Sequence, residues 1–290
     1  MLPVETNAAG IAIISLTANP AKPRGGVVVL DSWLIAEMAA TFDMVGANRP
    51  RGIVLRSASE RVFIAGADLA EIDSLDDNAL DQYLRAGSEA FARLYRLPCP
   101  TVALVHRAAL GGGLEVAMHC DAIVGVLPAA DEKPWRVGLP ECSLGICPGW
   151  GGTQMLPARM DPATAMTQTA TGHTNAVNAL PSGIFDVTAA NTDDAMSDAI
   201  DWIAAHPRTT PRTQPRAIDA QNASQIRAAL ATARAQTAAS DAANAVFECI
   251  EVGIASGWQA ALSAERKHLV VLRHTAVARE KLAQFLKPAR

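Results

Sequence analysis

Over the first 155 residues, short apolar runs rich in β-branched side chains alternate with stretches whose apolar positions recur every three to four residues. The runs at 10–16 (GIAIISL), 51–57 (RGIVLRS), 101–105 (TVALV) and 122–126 (AIVGV) predict strands. Asp31 is placed to cap a helix running to about Val45, with Leu34, Met38 and Phe42 on one face. Across 78–96, Leu80, Leu84, Phe91 and Leu94 share a helical face, and Gly87 on that face lets a neighbour approach closely. Pro98 and Pro100 stop that helix. Strands alternating with helices predict an α/β layer architecture.

Beyond residue 155 the strand signal weakens, and 161–195 is rich in alanine and threonine with no decisive period. The segment 206–216 (HPRTTPRTQPR), with prolines and arginines at regular intervals, reads as an extended connector. It divides the chain into an expected core, 1–205, and a helical C-terminal region, 206–290. That region predicts two long helices, near 221–248 and 255–286, with Leu262, Leu269, Leu272, Leu282 and Phe285 as a stripe for the core or a subunit interface. No internal repeat stands out.

Half of the 290 residues are hydrophobic and only 4% aromatic, so aliphatic and alanine packing must fill the core. The net charge of −4 argues against a nucleic-acid binder. The five cysteines include no C-x-x-C pair, which disfavours a zinc site or a disulfide framework and fits a reducing compartment. The N-terminus lacks the features of a signal peptide and no run of 18 apolar residues occurs, so a cytoplasmic protein without a membrane partner is expected.

Three stretches carry candidate chemistry. RVFIAGADLAEI (61–72) ends a short apolar run in a turn at Gly66. ALGGGLEVAMHCD (109–121) opens a helix on three glycines, each costing roughly 1 kcal/mol of helix propensity relative to alanine. VGLPECSLGICPGWGGTQMLP (137–157) sets Glu141 after a proline and ahead of a tight turn. A helix N-terminus offers unpaired N–H groups and partial positive charge, and Glu115 lies on the same helix face as Gly112. An N–H beside a carboxylate suits a reaction that builds negative charge on a carbonyl oxygen. The AGAD turn is the candidate for a second donor, and Glu141 for a second carboxylate that divides acid and base duties. No phosphate-loop lysine, no dinucleotide fingerprint and no G-x-S-x-G elbow is present. His106 and His119 fall in the same region, without a nucleophile beside either, and read as structural.

In order and spacing, FIAGADLAEI (63–72), the stretch 100–121 with its GGGLEVAMHCD, and GLPECSLGICPGWGGTQMLP (138–157) together strongly resemble the crotonase (enoyl-CoA hydratase/isomerase) superfamily. Within it, 257–286 and Trp150 are similar to the hydratase part of the multifunctional fatty-acid β-oxidation proteins. The resemblance implies a spiral of ββα units with a helical C-terminal region, and a lyase that adds water to a 2-enoyl-CoA. Ala67 and Gly112 match the two amide donors for the thioester oxygen. Glu115 matches the residue that activates the water attacking C3, and Glu141 the one that delivers a proton to C2. Ala65, Gly66, Asp68 and Leu69 match the turn that holds adenine and pantetheine, with Gly111, Pro140 and Gly149 as further substrate-binding positions. The resemblance further implies an acyl-CoA partner, no metal, no cofactor beyond the coenzyme A carried by the substrate, and a homo-oligomer such as a trimer or hexamer. Lys287 and Arg290 are placed either to meet a CoA phosphate or to form a solvated basic tail. The chain departs from the family at Val28, where hydratases carry asparagine, at Trp135, and over 158–170. Isomerisation of a 3-enoyl-CoA, and CoA binding without turnover, remain as alternative readings.

Overall fold

A computed structural model describes residues 1–287. In chain order the first half comprises β1 (Val4–Thr6), β2 (Ile11–Leu16), α1 (Ser32–Ala47), β3 (Gly52–Ser57), β4 (Val62–Ile64), α2 (Leu69–Ser74), α3 (Asp77–Arg96), β5 (Thr101–Val105), β6 (Ala108–Leu110), α4 (Gly112–His119), β7 (Ala122–Val126) and β8 (Arg136–Gly138). The second half comprises α5 (Gly152–Met155), α6 (Pro162–Thr171), β9 (Thr174–Ala176), β10 (Val187–Ala189), α7 (Thr192–Ala205), α8 (Ala223–Gln236), α9 (Asp241–Ser256), α10 (Trp258–Leu272) and α11 (Ala276–Phe285).

The strands form two sheets, one ordered β1-β2-β3-β5-β7-β10 and one ordered β4-β6-β8-β9. Consecutive strands alternate between them: β3, β5 and β7 lie in the larger sheet, and β4, β6 and β8 follow each in the smaller. Each pair then leads into helical structure, so the chain climbs through three ββα turns with parallel neighbours in both sheets. This is the expected spiral. The repeat is geometric, and nothing in the residue pattern repeats with it.

Strands β3, β5 and β7 are buried on both faces, which is why they read as continuous apolar runs. Ile53, Leu55, Val105 and Ile123 enter the main core, while the alternate positions Val54, Val102, Leu104 and Val124 pack with Ala195, Ala199 and Ile203 of α7. Asp31 caps α1 as expected, accepting the Leu34 N–H at 2.8 Å. The segment 161–195, which carried no decisive period, contains α6, β9, β10 and the start of α7. Its two strands are three residues each, too short to display a period of two.

The two long C-terminal helices are corrected to four. Ser240 accepts the Ala243 N–H at 3.1 Å and Thr275 accepts the Ala278 N–H at 3.2 Å, so each hydroxyl starts a new helix where the alanine-rich pattern runs on without a break. The connector is pinned to the spiral, with Arg208 and Arg212 each pairing with Asp121 at 2.9 Å. Ile226, Val246, Ile250, Trp258, Leu262 and Leu269 belong to the same hydrophobic core as the spiral. Among the described residues no helix is long and apolar enough to cross a membrane.

Candidate active site

Strands β4, β6 and β8 are parallel neighbours, and their carboxyl ends deliver three segments to one place: Ala65–Gly66–Ala67, Gly111–Gly112, and Pro140–Glu141. All seven residues line a cavity of about 470 Å³. Leu69 joins them from the start of α2, Glu115 from α4 and Gly149 from the turn before α5. Asp68 is brought near but does not line the cavity. Its buried carboxylate caps α2 by accepting the Ala70 and Glu71 N–H groups at 3.2 Å, and it pairs with Arg24 and Lys22. Burial opposes that charge, but Arg24, the Glu71 amide and Lys22 outweigh it and hold the carboxyl below its ordinary range. The Asp68 side chain therefore builds the turn.

Among the described residues, neither the Ala67 nor the Gly112 N–H donates to an acceptor within the chain. Gly112 is the first residue of α4, where an N–H has no helical partner. The glycines before it are required by shape. Gly111 has φ +53°, and a Cβ there would fall 2.5 Å from Glu141 Oε1. A Cβ on Gly112 would strike the Trp150 ring at 2.5 Å, and one on Gly113 the Ile64 carbonyl at 2.4 Å. The propensity lost in three glycines thus brings α4, the Trp150 ring and the Glu141 carboxyl into contact.

Glu115 is 1% exposed. Its Oε1 accepts the N–H groups of Trp150 and Gly152, both at 2.8 Å, while its Oε2 has no partner. Burial pushes this carboxyl up to about 7, against the lowering effect of those amides. Glu141 also has a buried, unpartnered Oε2. Burial first, and then the nearby Glu115, hold its carboxyl well above the usual range. The cavity therefore presents two carboxyls whose hold on a proton is strengthened by burial, Glu115 to about 7 and Glu141 well above its usual range.

Trp150 packs on Gly87 of α3, as the small residue at that position allows, and its Nε1–H donates to the Leu84 carbonyl at 2.9 Å. His119 is buried and neutral, with its ring N–H on the Glu115 carbonyl oxygen at 2.8 Å; burial lowers its pKa to about 4. His106 bonds the Ser59 carbonyl at 2.8 Å. Val28 is buried and its carbonyl accepts the Ala65 N–H at 2.9 Å, so it supports the 65–67 turn through its backbone. Trp135 packs against Phe185 away from the cavity. Lys287 is exposed, and Arg290 lies outside the described residues.

The motifs did not point to the apolar wall, which Ile72, Leu144, Ile146, Leu269 and Phe285 supply, the last two from the C-terminal helices of the same chain. They also missed a second buried glutamate, Glu265, which bonds Gly151 and Thr153 of the turn from α10. Its signal was available: Glu265 falls between Leu262 and Leu269 on the apolar stripe, where a charge is out of place.

The sequence model of the enoyl-CoA hydratase/isomerase family matches residues 8–254. Among solved structures, the chain is similar to an enoyl-CoA hydratase from Bacillus halodurans (18% identity, 98% of this chain and 99% of that one, TM-score 0.67). It is also similar to an enoyl-CoA hydratase/isomerase from Mycobacterium paratuberculosis (20% identity, 98% and 97% covered, TM-score 0.65). A further match is a Geobacillus kaustophilus protein described as an enoyl-CoA hydratase (24% identity, 100% and 94% covered, TM-score 0.62). At these identities the structural matches speak for the fold.

Proposed function

The chain belongs to the enoyl-CoA hydratase/isomerase family, and within it we propose that the protein is a 2-enoyl-CoA hydratase, a lyase serving fatty-acid β-oxidation. The observation that carries this reading is one cavity holding two differently poised carboxyls, Glu115 and Glu141, with two undonated amides, Ala67 and Gly112. The thioester oxygen lies between the two amides and gains negative charge as C3 is attacked; one such donor is worth ~10²–10³ in rate. Ionised Glu115 accepts a proton from the water whose oxygen bonds to C3. Protonated Glu141 gives its proton to C2, so one molecule of water is added across the double bond and the product is a 3-hydroxyacyl-CoA. The apolar wall suits the acyl chain, and the coenzyme arrives with the substrate, so the reaction calls for no other cofactor.

Incubation with 2-enoyl-CoAs of graded length, followed by loss of the conjugated-thioester absorbance, tests the reading. Glu115→Gln and Glu141→Gln are each expected to slow hydration by orders of magnitude with CoA affinity largely kept. Undiminished turnover in both variants would end it. Conversion of a 3-enoyl-CoA without hydration would move the assignment to the isomerase.

A further inference from the structure

Glu265 is fully buried on α10 and is absent from the cavity lining, so it does not meet the substrate. It also lies beyond residues 8–254, the stretch that the family sequence model matches. Its carboxylate nevertheless accepts the Gly151 N–H at 2.6 Å, the Thr153 N–H at 3.0 Å and the Thr153 hydroxyl. Glu115 takes the two remaining amides of the same turn, Trp150 and Gly152. Four successive backbone N–H groups thus alternate between two buried carboxyls, one on each side of the turn. The Thr153 hydroxyl is itself held by Gln154 Nε2 at 2.8 Å, which also donates to the Cys249 carbonyl of α9 at 2.9 Å. Gly151, at φ +99°, leaves room for no side chain: a Cβ there would lie 2.2 Å from the Trp258 ring at the start of α10.

We propose that Glu265 is a positioning residue for the acid–base pair, clamping amides 151 and 153 so that amides 150 and 152 stay aimed at the Glu115 carboxyl. The clamp makes α10 part of the reacting end of the site. This inference rests on the hydratase reading for its kinetic consequences, but the clamp itself is a statement about Glu115 in the free protein. The titratable groups facing the two carboxyls are Glu141 on the cavity side, Cys147 and Cys249 behind the turn, Arg266 beside Glu265, and neutral His119 one turn along α4. Because the amides of Trp150 and Gly152 favour the ionised form of Glu115, loosening the turn pushes Glu115 further up. Burial and the nearby Glu115 push the Glu265 carboxyl itself up to about 8, so it carries only part of a charge where Glu115 titrates, and removing that charge pushes Glu115 down. The two possible roles of Glu265 therefore carry opposite signs.

Glu265→Gln keeps one carbonyl acceptor but puts an NH₂ group where an N–H must be accepted, freeing one of the two amides. The experiment is a pH titration of the Glu115 carboxyl by ¹³C NMR, assigned with Glu115→Gln, run beside hydration kinetics on 2-butenoyl-CoA. The expected result is an upward shift of the Glu115 midpoint, with kcat lowered about 10–100-fold, as for a displaced catalytic group. KM stays within about twofold, because amides 67 and 112 are untouched. Thr153→Val removes the hydroxyl's contacts with Glu265 and Gln154 but leaves both clamped amides in place, and is expected to shift both readouts the same way by less; it decides the matter if Glu265→Gln does not fold. A Glu115 midpoint that stays put in the folded variants, or moves down, overturns the clamp. If the wild-type protein hydrates no enoyl-CoA, the functional reading falls while the titration still judges Glu265.

Discussion

The two sheets arise from the same three ββα turns, yet they do different work. In the larger sheet β3, β5 and β7 run five or six residues and are covered on both faces, and no residue of that sheet lines the cavity. In the smaller sheet every strand is three residues long, and the chain leaving β4, β6 and β8 becomes the cavity wall. Long strands buried on both faces supply apolar burial; short ones supply closely spaced carboxyl ends, where loops can bring amides and acids together. The liabilities follow the same division. Gly66, Gly111 and Gly138 at positive φ, and Glu115 and Glu141 with their unpartnered oxygens and raised pKa values, lie at or just beyond the ends of the short strands. One supersecondary unit thus separates stability from chemistry, sheet by sheet.

The sharpest way to break this division is to remove an acid from the short-strand side. Glu141→Gln is expected to lower kcat about 10³-fold, the usual range for a lost general acid being ~10²–10⁴, with no fall in Tm; steady-state hydration and thermal melts check it. Leu55→Ala, in the fully buried interior of β3, is the reverse experiment. It is expected to cost about 2–5 kcal/mol of stability while the folded fraction keeps its kcat, as urea unfolding and kinetics will report. A smaller effect sharpens the comparison through pH. Unfolded Glu115 ionises near its ordinary value, and folded Glu115 only at about 7, so the folded chain holds that proton longer. The stability the proton confers is complete below the unfolded value and is lost as the pH rises through 7. Glu115→Gln cannot ionise and keeps Oε1 for its two amides, so it should be more stable than wild type at pH 8 by about 1–3 kcal/mol, with the gain vanishing near pH 4; melts across that range test it. The smallest effect belongs to the rim: Phe285 is 63% exposed, and Phe285→Ala should change KM for long acyl chains a few-fold with kcat held, as assays over a chain-length series will measure.

How much of this was legible follows from where the information resides. The longer strands announced themselves because burial on both faces demands unbroken apolar runs, α1 because Asp31 caps it, and α3 because one face is apolar and prolines follow its end. The spiral was named through a resemblance and not through periodicity, since strands of three residues carry no measurable period. Glu115 and Glu141 stood out against apolar and glycine-rich surroundings. Asp68 sits in the same motif, but the sequence does not disclose that Arg24 and Lys22, far back along the chain, claim its carboxylate. Glu265 escaped notice because its partners are backbone amides over a hundred residues away, and an amide has no letter in the sequence. The breaks among the C-terminal helices were hidden because alanine-rich segments keep helical propensity on both sides of a capping hydroxyl.

The clamp draws on α10 and the cavity wall on α10 and α11, far downstream of the strands they complete. Domains fold as they emerge during synthesis, at about 5–20 residues per second. A nascent chain on the ribosome therefore owns all three ββα turns, with both acids in them, for seconds before the residues that confine those acids have been made. A transcript cut short after the spiral yields carboxyls without their clamp, and chemical competence becomes a late event in the life of each polypeptide.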